Sequence, residues 1–133
     1  MKILFVCTGN TCRSPMAAGL FSHLCSDVVC ESAGLYALDG QSASAHAVTA
    51  AAAMGANISE HKSRMLTPKI AESADIIVAL GLHHAEALQL CYPHKRVLIL
   101  GDGIDDPYGG SLADYKNCAI QIQEKLKELS EKL

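Results

Sequence analysis

The sequence predicts an α/β fold, a three-layer α/β/α sandwich around a four-stranded parallel sheet. Strand-like and helix-like segments alternate along the 133 residues, and three of the four strand-like segments contain continuous apolar runs. Continuously apolar strands are typical of parallel sheets that helices cover on both faces. We expect one domain, residues 1–133, because this length suits a single domain and 50% of the residues are hydrophobic, enough to form a core.

The first half of the chain predicts two strands and two helices. A run of β-prone residues, 3–6, gives the first strand. The first helix, 14–25, follows from Ser14-Pro15, an N-cap residue and then proline at the first helical position, and from apolar residues at helical spacing. Residues 27–32 form a short second strand. The alanine-rich run 44–54 favours the second helix, because alanine loses no side-chain entropy there.

The second half predicts a short helix, a strand, a longer helix, a strand and a final helix. Thr67-Pro68 begins the short helix, 67–73, with Thr67 as its cap. Segments 75–80 and 96–100, apolar after Asp75 and Arg96, are the third and fourth strands, and residues 82–90 between them are helical. Ser111 with Asp114 three residues later resembles a capping box, so we expect the final helix to begin there.

Charge and hydropathy argue against two classes of partner. With 11 basic and 14 acidic residues and a formal net charge of −3, the chain lacks the basic footprint of a nucleic-acid-binding protein. No apolar run approaches the roughly 18 residues needed to span a membrane, and the run after Lys2 is too short for a secretory signal. We therefore expect a cytoplasmic protein with neither a nucleic-acid nor a membrane partner.

No metal or other cofactor is expected. The spacing of the six cysteines fits no zinc pattern, and we expect reduced thiols, with four of them small core or near-surface residues: Cys25, Cys30, Cys91 and Cys118. His83 and His84 are adjacent, and adjacent side chains on a helix point about 100° apart. They are therefore poorly placed to share one ion, and we expect both to be solvated.

The segment that joins the first strand to the first helix predicts an anion-binding loop. It reads Cys-Thr-Gly-Asn-Thr-Cys-Arg-Ser-Pro over residues 7–15. At such a junction backbone N–H groups point at a ligand, Gly9 permits unusual dihedral angles, and Arg13 supplies a planar fork for phosphate, sulfate or arsenate. These groups favour the thiolate of Cys7 over its thiol, so we interpret Cys7 as a nucleophile. The alternative is an ordinary buried cysteine at a strand end.

The acidic segment 101–114 predicts a second catalytic group. It holds four aspartates and no lysine or arginine, and carboxylates facing an anion site repel substrate unless one is protonated and works as an acid. Asp106 is the candidate, because Pro107 restricts its backbone and Tyr108 offers an aromatic wall. The alternative is an acidic, turn-rich surface loop.

Over nearly its full length the chain resembles the low-molecular-weight protein phosphatases. The segments that carry the resemblance follow the family's order: Val6–Ala17, Glu31-Ser32-Ala33-Gly34, Ser73-Ala74-Asp75 and Asp106-Pro107-Tyr108-Gly109-Gly110. The resemblance implies a metal-free protein phosphatase that acts on phosphorylated proteins through a phosphocysteine. Cys7 would be the nucleophile, Arg13 would hold the phosphoryl oxygens, and Asp106 would protonate the leaving group and then activate water.

The resemblance also assigns the remaining loop residues. Those expected to bind phosphate are Thr8, Gly9, Asn10, Thr11, Cys12 and Ser14. Within this set Asn10 is expected to hold the shape of the loop, and Ser14 to hydrogen-bond the thiolate. Cys12 is expected to form a reversible disulfide with Cys7 under oxidation.

Three residues bear on the choice of substrate. Thr11 stands where the family's tyrosine phosphatases usually carry isoleucine, and it resembles the protein-arginine-phosphatase branch. Tyr36 is expected on the rim opposite Tyr108, which is followed by glycine rather than by a second aromatic residue. We therefore favour phosphoarginine, with phosphotyrosine as the alternative.

Two other functions are less consistent with the sequence. Related arsenate reductases need further cysteines after the central strand, where this chain has only Cys91. A carrier that only accepts phosphate on cysteine needs neither Arg13 nor Asp106.

Overall fold

The computed structural model describes residues 1–133, and at its centre is a four-stranded sheet whose neighbouring strands are all parallel. The strands are β1 (Lys2–Cys7), β2 (Val29–Gly34), β3 (Ile76–Ala79) and β4 (Val97–Ile99). Their order across the sheet is β2-β1-β3-β4. The helices are α1 (Arg13–Leu24), α2 (Ala45–Ala53), α3 (Pro68–Ser73), α4 (Leu82–Cys91) and α5 (Leu112–Lys132).

Successive residues of β1 belong to two different hydrophobic cores. Ile3 and Phe5 pack in the larger core with residues of α1, α2 and α5, whereas Leu4 and Val6 pack in a smaller core with residues of α3 and α4. Side chains alternate across a strand, so an apolar residue at every position requires helices on both faces of the sheet. The predicted α/β/α sandwich with its four-stranded parallel sheet is confirmed.

The chain leaves β1 in the direction of β2 and later returns on the other side to form β3. In open α/β sheets, ligands bind beyond the carboxyl ends of the strands, where the strand order reverses. In this protein that point is the carboxyl end of β1, where residues 8–12 lead into α1.

Two boundaries near this point differ from the prediction. α1 begins at Arg13 with Cys12 in the N-cap position and no side-chain cap, so the prediction of Ser14 as the N-cap was wrong. Ser14 is instead fully buried, and its hydroxyl is hydrogen-bonded to the side chains of Cys7 and Asn10. β2 continues past Ser32, because Ala33 and Gly34 pair with the last two residues of β1.

The predicted caps of the later helices are confirmed. The Thr67 side chain accepts a hydrogen bond from the backbone of α3, and Ser111 and Asp114 form a reciprocal capping box at the start of α5. None of the helices combines the length and apolar character that a membrane crossing needs.

Candidate active site

Residues 8–12 form a loop whose carbonyl groups point outward to neighbouring elements. The carbonyl oxygens of Cys7 and Thr8 accept hydrogen bonds from the N–H groups of Leu35 and Tyr36, both at 3.0 Å, and that of Thr11 accepts from Ser44 at 2.9 Å. The N–H groups of residues 8–12 donate to no acceptor in the protein. The loop therefore turns a set of free donors toward its concave side, as an anion-binding loop does.

Asn10 holds this shape from within. Its backbone is left-handed, with φ of 57°, and its side chain is fully buried. The side-chain Nδ2 donates to the hydroxyls of Ser14 at 2.7 Å and Ser32 at 3.0 Å, and Oδ1 accepts from the Arg64 N–H at 3.0 Å. Both N–H groups of the amide and one lone pair of its oxygen are thus hydrogen-bonded. These bonds tie the loop to α1, to β2 and to Arg64.

Two partners of Asn10 lie in the polar segment 57–66, which the sequence marks only as irregular. The Nε2–H of His61 donates to the Asn10 carbonyl at 2.7 Å. Burial lowers the pKa of His61 below its usual value, against the effect of this hydrogen bond. The Arg64 guanidinium donates to the Ser32 carbonyl and pairs with Glu31, both at 3.0 Å. No local sequence signal links these residues to a loop more than fifty positions away.

The Cys7 thiol lies at the floor of the loop. It is 3% exposed, and its Sγ is 2.9 Å from the Ser14 hydroxyl oxygen. That hydroxyl also accepts from Asn10, so its own proton is free to point toward sulfur. Such a donor stabilises a thiolate, which is the reactive form of cysteine.

Arg13 and Asp106 meet at the side of the loop. The Arg13 side chain is buried, and its Nη1 donates to the Ile104 carbonyl at 2.9 Å, which fixes the guanidinium plane. Its Nη2 lies 3.6 Å from Asp106 Oδ2. The Asp106 carboxylate is half-exposed, and its Oδ1 accepts from the Tyr108 N–H at 3.1 Å. The local turn between Asp106 and Tyr108 therefore directs the carboxylate toward Arg13.

These groups surround one cavity of about 330 Å³. The structure brings to it all the residues predicted for the site except Ser14, which lies behind Cys7 and contacts it: Cys7, Thr8, Gly9, Asn10, Thr11, Cys12, Arg13, Tyr36, Asp106 and Tyr108. The cavity is also lined by two residues that the sequence did not indicate, Leu38 and Gln41. Tyr36, Leu38 and Tyr108 are largely exposed and form an apolar rim at its mouth.

A buried serine fixes the part of the rim that carries Leu38 and Gln41. Ser63 exchanges two hydrogen bonds with Gln41, donating its N–H to the Gln41 carbonyl at 2.7 Å and accepting the Gln41 N–H on its hydroxyl at 2.9 Å. The Ser63 hydroxyl in turn donates to the Leu38 carbonyl. Segment 61–65 thus contacts both the loop 8–12 and the outer rim.

His84 is not solvated, contrary to the prediction from its position beside His83. It is fully buried in the first turn of α4, and its Nε2 is 2.8 Å from the Thr8 hydroxyl oxygen, whereas His83 is exposed. The two rings do not point apart as expected, and their centroids lie 4.0 Å from each other. The loop after β1 packs over α4 and covers only His84. No three His, Cys, Asp or Glu side chains come together in a way that could hold a metal ion.

The second thiol of the loop has partners of its own. Cys12 Sγ lies 3.4 Å from the Tyr115 hydroxyl and 3.6 Å from that of Ser44. Burial first, and then the contact with Cys12, raise the pKa of Tyr115 to about 12, so its hydroxyl stays protonated. Cys7 and Cys12 are both free thiols here, and their reversible disulfide stays a prediction.

Comparison with known proteins agrees with this arrangement. A family model described as low molecular weight phosphotyrosine protein phosphatase matches residues 2–133. The chain is 35% identical to a protein-arginine-phosphatase of Bacillus subtilis, over 100% of this chain and 97% of that protein. It is 38% identical to a probable low molecular weight protein-tyrosine-phosphatase, EpsP, of Ralstonia solanacearum, over 91% and 88%. The structure resembles the YwlE arginine phosphatase from Geobacillus stearothermophilus with a TM-score of 0.91, at 33% identity over 98% of this chain and 91% of that one.

Proposed function

Because the chain belongs to the low molecular weight phosphotyrosine protein phosphatase family and is a cysteine-dependent protein phosphatase, we propose that Cys7, Arg13 and Asp106 carry out its reaction. The observation that carries this assignment is the Cys7 Sγ to Ser14 Oγ distance of 2.9 Å at the floor of a cavity that Arg13 and Asp106 also line. The same cavity therefore holds a nucleophile with a hydrogen-bond donor, a cationic fork and an acid.

In the first step the Cys7 thiolate attacks phosphorus, and the bond from phosphorus to the leaving group breaks. The Asp106 carboxyl gives its proton to the leaving atom. The free N–H groups of residues 8–12 and the Arg13 guanidinium stabilise the charge on the phosphoryl oxygens as it is transferred. The product is a phosphocysteine and a dephosphorylated side chain.

In the second step water attacks the phosphocysteine. The Asp106 carboxylate takes a proton from this water, and the electrons of the sulfur–phosphorus bond return to Cys7 as the thiolate. Ser14 stabilises the thiolate that leaves, as it did the thiolate that attacked. Inorganic phosphate is released, and Asp106 is protonated again.

Two variants test the assignment against a generic aryl phosphate. The wild-type protein should turn over many equivalents, and Cys7→Ser should abolish turnover while leaving competitive binding of inorganic phosphate, which the loop and Arg13 provide, measurable. Cys91→Ser is the matched control, because this thiol is exposed at the end of α4 and does not line the cavity. Full activity of Cys7→Ser, or a wild-type burst that stops after one equivalent, would overturn the proposal.

Among the phosphorylated side chains of a protein substrate, phosphoarginine is the favoured one. Thr11 lines the cavity, and the protein partner of its hydroxyl is Cys12 Sγ at 3.8 Å. A phenol ring offers that hydroxyl no hydrogen bond, whereas a guanidino group offers it N–H donors. The similarity to two protein-arginine-phosphatases supports the same choice.

Phosphotyrosine is the second candidate, and the rim is the observation that favours it. The exposed side chains of Tyr36, Leu38 and Tyr108 offer apolar surface on which an aromatic ring packs. The similarity to several tyrosine phosphatases is consistent with this candidate.

Side-by-side kinetics on phosphoarginine and phosphotyrosine peptides distinguish the two. We expect the higher kcat/KM on phosphoarginine, and we expect Thr11→Ile to shift the ratio toward phosphotyrosine. Thr11→Ser, which keeps the hydroxyl, is the matched control and should keep the wild-type ratio. A ratio that Thr11→Ile leaves unchanged would remove Thr11 from the specificity determinants.

A further inference from the structure

His84 carries a polar atom whose hydrogen bonding is incomplete. The side chain is fully buried, its Nε2 faces the Thr8 hydroxyl at 2.8 Å, and its Nδ1 is the one buried side-chain nitrogen or oxygen without a hydrogen-bond partner in the protein. Buried polar groups are nearly always paired, so one that is left unpaired requires an explanation. The partner of His84 directly follows the nucleophile in the chain.

The position of the ring determines which nitrogen carries the proton. Burial, followed by the positive field of His83 and Arg13, lowers the pKa of His84 to about 4, so the ring is neutral at pH 7 and has a single N–H. Nδ1 faces the backbone of Gly81, where an added Cβ would lie only 2.9 Å away. A proton on Nδ1 would be a buried donor without an acceptor, and such donors are rarer than unpaired acceptors. The proton therefore lies on Nε2.

This tautomer fixes the direction of the Thr8 hydroxyl. The Nε2–H donates to Thr8 Oγ1, so the hydroxyl oxygen is used as an acceptor and its own proton remains to be donated. The Thr8 backbone is held as well, because its carbonyl accepts from the Tyr36 N–H at 3.0 Å. Thr8 lines the cavity with Cys7 and Arg13, and its hydroxyl has no other partner in the protein.

We propose that the Thr8 hydroxyl is a further donor to the phosphoryl group and that His84 is the residue that positions it. The proposal rests on the phosphatase reaction assigned above and adds a side-chain donor to the N–H groups of the loop. His84 has no contact with substrate in this scheme. Its Nε2–H donates to the oxygen of the Thr8 hydroxyl, so the hydroxyl proton remains available for a hydrogen bond to the phosphoryl anion.

Four single variants and one double variant test the pair by kcat/KM on a generic aryl phosphate and by competitive inhibition with inorganic phosphate. Thr8→Val and His84→Leu should each lower kcat/KM and weaken phosphate inhibition by roughly tenfold to a hundredfold, the effect of losing a hydrogen bond to a charged group. Thr8→Ser keeps the hydroxyl, and His84→Gln keeps an N–H near the place of Nε2–H, so both should restore most of the wild-type values. The double variant Thr8→Val/His84→Leu should be no worse than either single variant.

The expected pattern differs from that of a packing defect. His84→Leu removes a buried unpaired nitrogen, so its thermal midpoint should not fall in proportion to its activity. His94→Gln is the control, because this histidine is exposed and its ring bonds to Glu72 and not to the loop. Nitrogen-15 NMR of the wild-type protein should show His84 as the Nε2–H tautomer.

Three results would overturn the proposal: wild-type kinetics for Thr8→Val, additive losses in the double variant, or an Nδ1–H tautomer for His84. Any of these combined with an inactive Cys7→Ser protein would leave the phosphatase assignment intact. Absence of turnover by the wild-type protein would instead overturn the assignment itself.

Discussion

Replacement of Asn10 should lower the free energy of unfolding through two separate contributions, the loss of side-chain hydrogen bonds and the cost of a left-handed backbone. The buried side chain makes three hydrogen bonds, at 2.7, 3.0 and 3.0 Å, and its backbone φ is 57°. A buried hydrogen bond contributes about 1 kcal/mol, so Asn10→Gly, which tolerates this φ, should lose about 3 kcal/mol. Asn10→Ala loses the same bonds and adds about 1 kcal/mol for a left-handed alanine, about 4 kcal/mol in all.

Urea unfolding of both variants measures these losses directly. They are a large part of the roughly 5 to 15 kcal/mol that holds a domain of this kind folded but do not exceed it, so both variants should remain folded at low temperature. Asn57→Ala is the matched control, because this asparagine is exposed and bonds only to Ser59, and it should change stability by about 0.5 kcal/mol or less. If Asn10→Ala is as stable as Asn10→Gly, the left-handed backbone carries no cost and the reasoning fails.

Three further predictions follow from the site. Asp106→Ala should slow the first step by roughly a hundredfold or more for aryl phosphates with poor leaving groups and less for good ones, whereas Asp105→Ala should stay near wild type; a leaving-group series measures this. Ser63→Ala frees the rim at Leu38 and Gln41, so KM for a phosphopeptide should rise about threefold to tenfold while kcat/KM for a small aryl phosphate is unchanged. Because the pKa of His84 is lowered to about 4, the unfolded chain binds a proton between pH 6.5 and 4 that the folded protein does not. Stability should therefore fall by about 3 kcal/mol as pH drops through that range, and urea unfolding of His84→Gln should lack this component.

The fold was predictable because its signals are local. Runs such as 3–6 and 76–80 are apolar at every position, and this pattern alone requires a sheet covered on both faces. The loop from Cys7 to Arg13 is equally local, since nucleophile, cation and helix start lie within seven consecutive residues. Asp106 could be predicted only from the acidic segment and the family resemblance, because its approach to Arg13 is a tertiary contact.

The supporting residues were not predictable, because their partners are distant in the chain. His84 contacts a residue 76 positions away, and its burial depends on how the loop packs over α4. Ser63 and His61 lie in a segment with no helical or strand period, and their bonds to Gln41 and Asn10 form only when the chain is folded. Serine is a preferred N-cap residue, yet the Ser14 hydroxyl is used in the buried hydrogen bonds around Cys7 and does not cap the helix.

Rapid quench of the protein with a generic aryl phosphate, followed by mass spectrometry of the peptide that contains the loop, tests the central claim most directly. The wild-type protein should show one transient phosphoryl group on Cys7. With an aryl phosphate that has a good leaving group, Asp106→Ala should accumulate it, because formation then needs little help from the acid whereas hydrolysis of the intermediate loses its base. A phosphoryl group on any other side chain, or turnover without a phosphorylated Cys7, would contradict the mechanism.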